Sequence, residues 1–207
     1  MNRPNHSDLE LRPDLERIAR WIRPKARVLD LGCGDGALLA WLQSEKECLA
    51  YGAEINQDQV LACVQRGVNV IQADIDTSLS LFSGNRFDVV ILSQALQATH
   101  RTEAVLREIS ELGQEVIVSI PNFGHWSHLV SLLMGRMPVN RRLPYEWYNT
   151  PNLHLATVSD FEALLGRLGL TIIEHQYLVE SDNGDLKSIA SLPALRATLA
   201  LYRFQKQ

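Results

Sequence analysis

Three carboxylates in the first third of the chain stand where apolar runs meet turns, and the first of them lies beside a cluster of glycines. Val28-Leu29-Asp30-Leu31-Gly32-Cys33-Gly34-Asp35-Gly36 reads as a buried strand, a tight turn and the start of a helix. Glu54 follows the run Leu49-Ala50-Tyr51-Gly52-Ala53, and Asp74 follows Val68-Asn69-Val70-Ile71-Gln72-Ala73. Glycines lack the Cβ that would keep a ligand off the backbone, and ionised carboxylates only accept hydrogen bonds. A nucleoside, rich in hydroxyl and amine donors, suits such acids when they line the carboxyl edge of an open α/β sheet. The plainer alternative for each acid is a helix N-cap or a surface ion pair.

Two ligand classes compete for the glycine turn. The dinucleotide fingerprint can be laid onto Gly32, Gly34 and Ala37 with Glu54 as the ribose acid. Asp30 opposes that reading, since a carboxylate before the turn repels a pyrophosphate. It favours a ligand with a cationic end, such as S-adenosylmethionine with its ammonium and sulfonium.

The elements that must position these residues follow from periodicity. Leu15, Ile18, Ala19 and Ile22 share one face of a helix over 13–22, with Pro13 in its first turn. Strands over 26–31, 48–53 and 68–73 alternate with helices over 36–44 and 57–66, the latter ended by Gly67. Phe87–Ser93 is continuously apolar, as a central parallel strand covered on both faces must be. A helix over 102–112, a strand over 115–120, a capping-box helix opened by Ser159-Asp160-Phe161-Glu162, and strands over 170–176 and 199–205 complete the list. The expectation is one doubly wound α/β domain over 1–207 with seven strands.

Bulk properties exclude several classes. With 207 residues, 46% hydrophobic and 21% charged, the chain can bury one sizeable core. A net charge of −4 gives no basic footprint for nucleic acid. No apolar run approaches the ~20 residues of a membrane span, and the N-terminus has no signal-peptide core. Cys33, Cys48 and Cys63 form no C-x-x-C pair and read as reduced, packed thiols of a cytoplasmic protein. No metal site is expected: His125 and His128 are three apart but lack a third ligand of clear spacing.

Residues 121–157 differ from the rest. Five of the chain's fourteen aromatics fall there (Phe123, Trp126, Tyr145, Trp147 and Tyr148), which argues for an ordered lid or docking surface over a disordered loop. The first part, 126–133, reads as a helix, with His125, His128 and His154 on the surface of the lid. Arg136, Arg141 and Arg142 could grip an acidic substrate or partner, or simply be solvated. Trp147 between Tyr145 and Tyr148 has the composition of an interface hot spot, or of rings packed over the sheet edge.

Val28–Gly36, Glu54 and Asp74 resemble the ligand edge of class I S-adenosylmethionine-dependent methyltransferases. More specific is Ile120-Pro121-Asn122-Phe123-Gly124-His125-Trp126, with Gly135-Arg136-Met137-Pro138-Val139, Arg141–Tyr148 and Thr150-Pro151-Asn152 after it. This run, and the chain almost end to end, is similar to the MetW family of methionine biosynthesis. The resemblance implies a Rossmann-like, mostly parallel sheet ordered 3-2-1-4-5-7-6 with its last strand antiparallel. It implies binding of S-adenosylmethionine or S-adenosylhomocysteine: Glu54 on the ribose, Asp74 on the adenine amine, Ile55 and Ile75 on the ring faces. Gly32, Gly34 and Gly36 would admit the methionine part, Asp30 would face its ammonium, and Ser93 and Gln94 would line that end. It also implies a subunit acting with MetX, the homoserine O-acyltransferase. The alternative is a methyltransferase acting on a small molecule. No catalytic residue is assigned, because no Asn/Asp-Pro-Pro-Tyr motif occurs and His100, the one candidate base, is better read as a surface histidine at a helix start. The chain has no G-x-S-x-G elbow for acyl transfer of its own.

Overall fold

A computed structural model describes residues 11–84, 86–139, 144–151, 154–181 and 183–206. The expectations for residues 1–10 and for Arg141, Arg142 and Asn152 lie outside those residues. In chain order the elements are α1 (Pro13–Trp21), β1 (Arg27–Leu31), α2 (Ala37–Lys46), β2 (Leu49–Glu54), α3 (Gln57–Gln65), β3 (Asn69–Gln72) and α4 (Ile75–Ser78). A 3₁₀ turn, Leu79–Phe82, leads to β4 (Phe87–Ser93), and another, Leu96–Ala98, leads to α5 (Thr102–Leu112). Then come β5 (Gly113–Pro121), α6 (Trp126–Leu133), α7 (Val158–Arg167), β6 (Leu170–Glu180), β7 (Leu186–Ile189), α8 (Pro193–Arg196) and β8 (Leu199–Lys206).

One sheet runs through the molecule in the order β3-β2-β1-β4-β5-β8-β6-β7. Strands β1 to β5 are parallel, and β8 lies antiparallel between β5 and β6. Among the described residues the sheet therefore has eight strands, not seven. The extra one, β7, pairs antiparallel with β6 at the outer edge, Tyr177 against Ile189. Its alternation is too short to stand out in sequence, and it is a strand because β6 offers a free edge. Without it the order is the expected 3-2-1-4-5-7-6.

The strong elements follow their sequence causes. Val89, Val90, Ile91 and Leu92 are all buried in β4, since α5 and α7 cover one face of the sheet and α1, α2 and α3 the other. In α1, Pro13 occupies the first turn with Asp14 and Glu16, while Arg20 sits in the last, a favourable arrangement with the helix dipole. The cap of α7 departs from expectation. Thr157, not Ser159, is the N-cap: its Oγ1 accepts from the Asp160 N–H at 3.2 Å and donates to the Asp160 carboxylate at 2.8 Å. Val158 is buried and so belongs inside the first turn. Glu162, freed from capping, accepts hydrogen bonds from the hydroxyls of Tyr177 (2.5 Å) and Tyr202 (3.0 Å), tying α7 to the sheet.

The 121–157 region also divides more sharply than its composition suggests. Its beginning is core: Asn122 is fully buried and donates to the carbonyls of Ala194 and Ala197, while its Oδ1 accepts from the N–H groups of Gly124 and Val158. His125 caps α6 through Ser127 N–H. His128 is buried, with Nδ1 3.0 Å from the Phe123 carbonyl and its ring against Phe123. The surface expectation therefore fails for His128, while His125 is half-buried at the helix cap. Only His154 is exposed.

Candidate functional site

The order of the sheet reverses between β1 and β4, and the crevice outside their carboxyl ends is where open α/β sheets bind ligands. Three turns converge there. The β1 turn is closed by a backbone hydrogen bond from the Gly32 N–H to the Ala53 carbonyl at 2.8 Å. Gly32 has φ +74°, and a Cβ on it would come within 2.9 Å of the Ala95 Cβ. Glycine is required here both for the left-handed backbone and to let the β4 turn pass.

Glu54 ends β2 and is buried. Its Oε2 accepts from the Gly34 N–H at 2.9 Å, and its Oε1 accepts from the N–H groups of Ile55 and Asn56, each at 2.9 Å. A carboxylate has about four acceptor positions, so three backbone donors fix its orientation and leave one on Oε2. Gly34 thus serves the site by presenting its N–H. Gly36 serves it less directly: it is the N-cap of α2 at φ +74°, and a Cβ there would meet the Cys63 Sγ at 2.8 Å. Its place is set by packing against α3.

Asp30 is buried in the middle of the sheet, and its Oδ1 has no hydrogen-bond partner among the described residues. Burial, reinforced by the nearby Glu54 carboxylate and only partly offset by Arg12, raises its pKa to about 7. An acid held in that condition is stabilised by any cation brought beside it.

A cavity of about 300 Å³ lies at this edge, lined by Gly32, Glu54, Ile55, Asp74, Ile75, Ser93 and Gln94 among others. Seven of the ten residues expected from sequence thus share its wall, while Asp30, Gly34 and Gly36 do not line it. Asp74 takes up the plainer of its two readings, a helix cap, at a place on the cavity wall. It caps α4, with Oδ1 accepting the Asp76 N–H at 2.9 Å, and it also faces the cavity. Ile55 is largely exposed, as a residue meant for a ligand face should be. The Ser93 hydroxyl lies 3.1 Å from that of Ser119.

Several contributors escaped the sequence. Gln94 adopts φ +53°, an uncommon conformation for a residue with a side chain. It is held there because its N–H meets the Ser119 hydroxyl (2.9 Å) and carbonyl (3.1 Å), and its Nε2 donates to the buried Asp14 at 2.8 Å. Asp14 in turn pairs with Arg12 at 3.0 Å, so the start of α1 braces the β4 turn. Asp76 lines the cavity and accepts from the N–H groups of His100 (2.8 Å) and Arg101 (3.1 Å). Burial acts to raise the Asp76 pKa, but the hydrogen bonds outweigh it and hold the carboxyl below its ordinary value. His100 is exposed and bound to this acid (Nδ1 at 3.1 Å). A signal was available only for Asp76, in the run Asp74-Ile75-Asp76; nothing in sequence separation links residue 14 to residue 94.

The reversed sheet order, the glycine turn and the acid after β2 define the class I S-adenosylmethionine-dependent methyltransferase fold. Solved structures bear this out. A SAM-dependent methyltransferase from Archaeoglobus fulgidus superposes with a TM-score of 0.69 over 93% of this chain and 91% of its own, at 18% identity. Magnesium protoporphyrin IX methyltransferase from Synechocystis PCC 6803, solved with bound SAH, gives 0.65 over 94% and 82%, also at 18% identity. At such identities the likeness establishes the fold alone.

The family is narrower. Residues 12–204 match the model for methionine biosynthesis protein MetW. The bifunctional methionine biosynthesis protein MetXA/MetW of Rhodopirellula baltica is 33% identical over 213 residues, covering 97% of this chain and 34% of that protein. This chain belongs to the MetW family, and it spans about a third of the length of that curated relative.

Proposed function

We propose that this protein binds S-adenosylmethionine or S-adenosylhomocysteine at the carboxyl ends of β1, β2 and β4, and acts in methionine biosynthesis as a cytoplasmic subunit of a MetX-type homoserine O-acyltransferase. The observation that carries the ligand is the pairing of an orphaned, buried Asp30 oxygen with a Glu54 carboxylate already oriented by three backbone donors. One acid is short of a cation and the other has an acceptor position open to a ribose hydroxyl. The residues present therefore fit the group: Glu54 would hold the ribose, Asp74 the adenine amine, Ile55 and Ile75 the ring, and Asp30 the ammonium end. S-adenosylmethionine, when bound, supplies an electrophilic methyl on its sulfonium.

The cavity wall gives little support to methyl transfer by this chain. Beyond Ser93 the β4 turn presents Gln94, Ala95 and Ala98, none of which can take a proton from an acceptor. Support for a partner comes from α6, whose Leu133 (87% exposed), Met134 (69%) and Trp126 (57%) give one apolar surface. Tyr145, Trp147 and Tyr148 are exposed as well, which favours the hot-spot reading over internal packing. The relative that joins MetXA and MetW in one chain supports the choice of partner.

Calorimetric titration with S-adenosylhomocysteine tests the ligand: saturable binding that Glu54→Gln weakens about tenfold or more is expected. Co-purification with the acyltransferase tests the partner, and an acyltransferase whose turnover is indifferent to this protein would refute the subunit role.

A further inference from the structure

A second cavity, of about 730 Å³, lies beside the adenosyl edge between α5 and α7, beyond the 3₁₀ turn Leu96–Ala98. Its body is apolar, with Ile120, Phe123, Phe161 and Leu164 in the wall and Leu155, itself 46% exposed, at the mouth. Its volume is in the range of small-molecule sites, which run to about 300–1,000 Å³.

The polar groups around it are unevenly satisfied. Two of the lining acids are already engaged, Glu103 with Arg107 at 3.0 Å and Asp160 with the Thr157 cap. Arg101 donates to the Asp76 carbonyl and lies 3.8 Å from Glu108. Arg167, also lining, has no ion pair among the described residues. The N-terminus of α5 adds positive potential, since Arg101 at its N-cap makes no capping bond. Gln97 donates its Nε2 to the Gln94 carbonyl at 2.6 Å, while its buried Oε1 has no partner among the described residues. The cavity therefore has an apolar body, an exposed arginine from the last turn of α7 with no ion pair among the described residues, and a buried acceptor.

We propose that this cavity is a second ligand site, taking a small carboxylate that has an apolar body and one hydrogen-bond donor, as an N-acyl amino acid does. The tail would lie against Phe123, Phe161 and Leu164, the carboxylate would pair with Arg167, and the amide N–H would meet the Gln97 Oε1. This site is distinct from the adenosyl cavity and does not rest on the proposed function.

The test uses the full chain and N-octanoylglycine, with neutral N-octanoylglycinamide as the counterpart, by titration calorimetry. The acid should bind at one site and the neutral amide about tenfold more weakly. Leu155→Trp, which blocks the exposed mouth without touching the core, should weaken the acid at least about tenfold. Arg167→Gln should weaken the acid and leave the neutral amide unchanged. No binding of the acid, equal binding of acid and amide, or affinity unchanged by Leu155→Trp would each overturn the proposal. S-adenosylhomocysteine titrated into the same variants should bind as it does to the unaltered chain, so either site can fail without the other.

Discussion

The ligand edge of β1, β2 and β4 and the apolar surface of α6 solve opposite physical problems. At the edge, charge is buried: Asp30 and Glu54 are withdrawn from water, one short of a hydrogen bond and the other clamped by three backbone donors. On α6 and at its C-cap, apolar surface is exposed, with Leu133 and Met134 left in solvent. Both features cost stability in the isolated chain, the first through desolvation and the second through hydration of apolar area. The contrast suggests that each cost is offset by a different binding event, small and cationic at the edge, large and apolar on the helix. A chain built only to be stable would carry neither.

The largest effect expected is at Glu54. Glu54→Ala removes the ribose acceptor and strands three backbone N–H groups. S-adenosylhomocysteine affinity should fall about a hundredfold or more by calorimetry, with a clear drop in Tm. If affinity is unchanged, the edge is not a nucleoside site and the contrast breaks.

Leu133→Asp should reduce acyltransferase co-purification about thirtyfold, the scale of a central hot spot, while Tm and S-adenosylhomocysteine binding stay put. Retained co-purification would move the docking surface off α6.

Asp30→Asn sharpens the comparison because it should separate stability from binding. The folded pKa of about 7 exceeds the ordinary 3.8, so between about pH 4 and pH 7 the folded chain binds more protons than the unfolded one. The contribution of this group to stability is thus full below pH 4 and lost as pH rises through 7. Asp30→Asn should raise Tm at pH 8 yet weaken S-adenosylhomocysteine about tenfold. It should also abolish the gain in affinity expected between pH 6 and pH 8. A lower Tm at pH 8 would show that Asp30 is structural.

The smallest effect is a control remote from both regions. Tyr177→Phe removes one donor to Glu162 and should cost about 1 kcal/mol in denaturant unfolding, with both binding functions intact.

Much of this was legible beforehand where local chemistry decides. The buried run of β4, the positive-φ glycine at Gly32 and the acids after β2 and β3 each follow from a few adjacent residues, because periodicity and φ are local properties. The cap of α7 was misplaced by two residues since Ser159 and Thr157 are chemically equivalent caps, and only the burial of Val158 selects between them. His125 and His128 looked like a surface pair because sequence does not say which way α6 faces.

The sequence by itself determined the doubly wound class, the glycine turn after β1 and the acids that follow β2 and β3, all matters of pattern within a dozen residues. Tertiary structure alone decided that Asp14 braces Gln94, that the Asp30 Oδ1 has no partner among the described residues, that β7 becomes an edge strand and that a cavity opens between α5 and α7. Those outcomes depend on which elements become neighbours. That is set by burying apolar faces across the whole sheet, a sum over distant residues that no local stretch encodes.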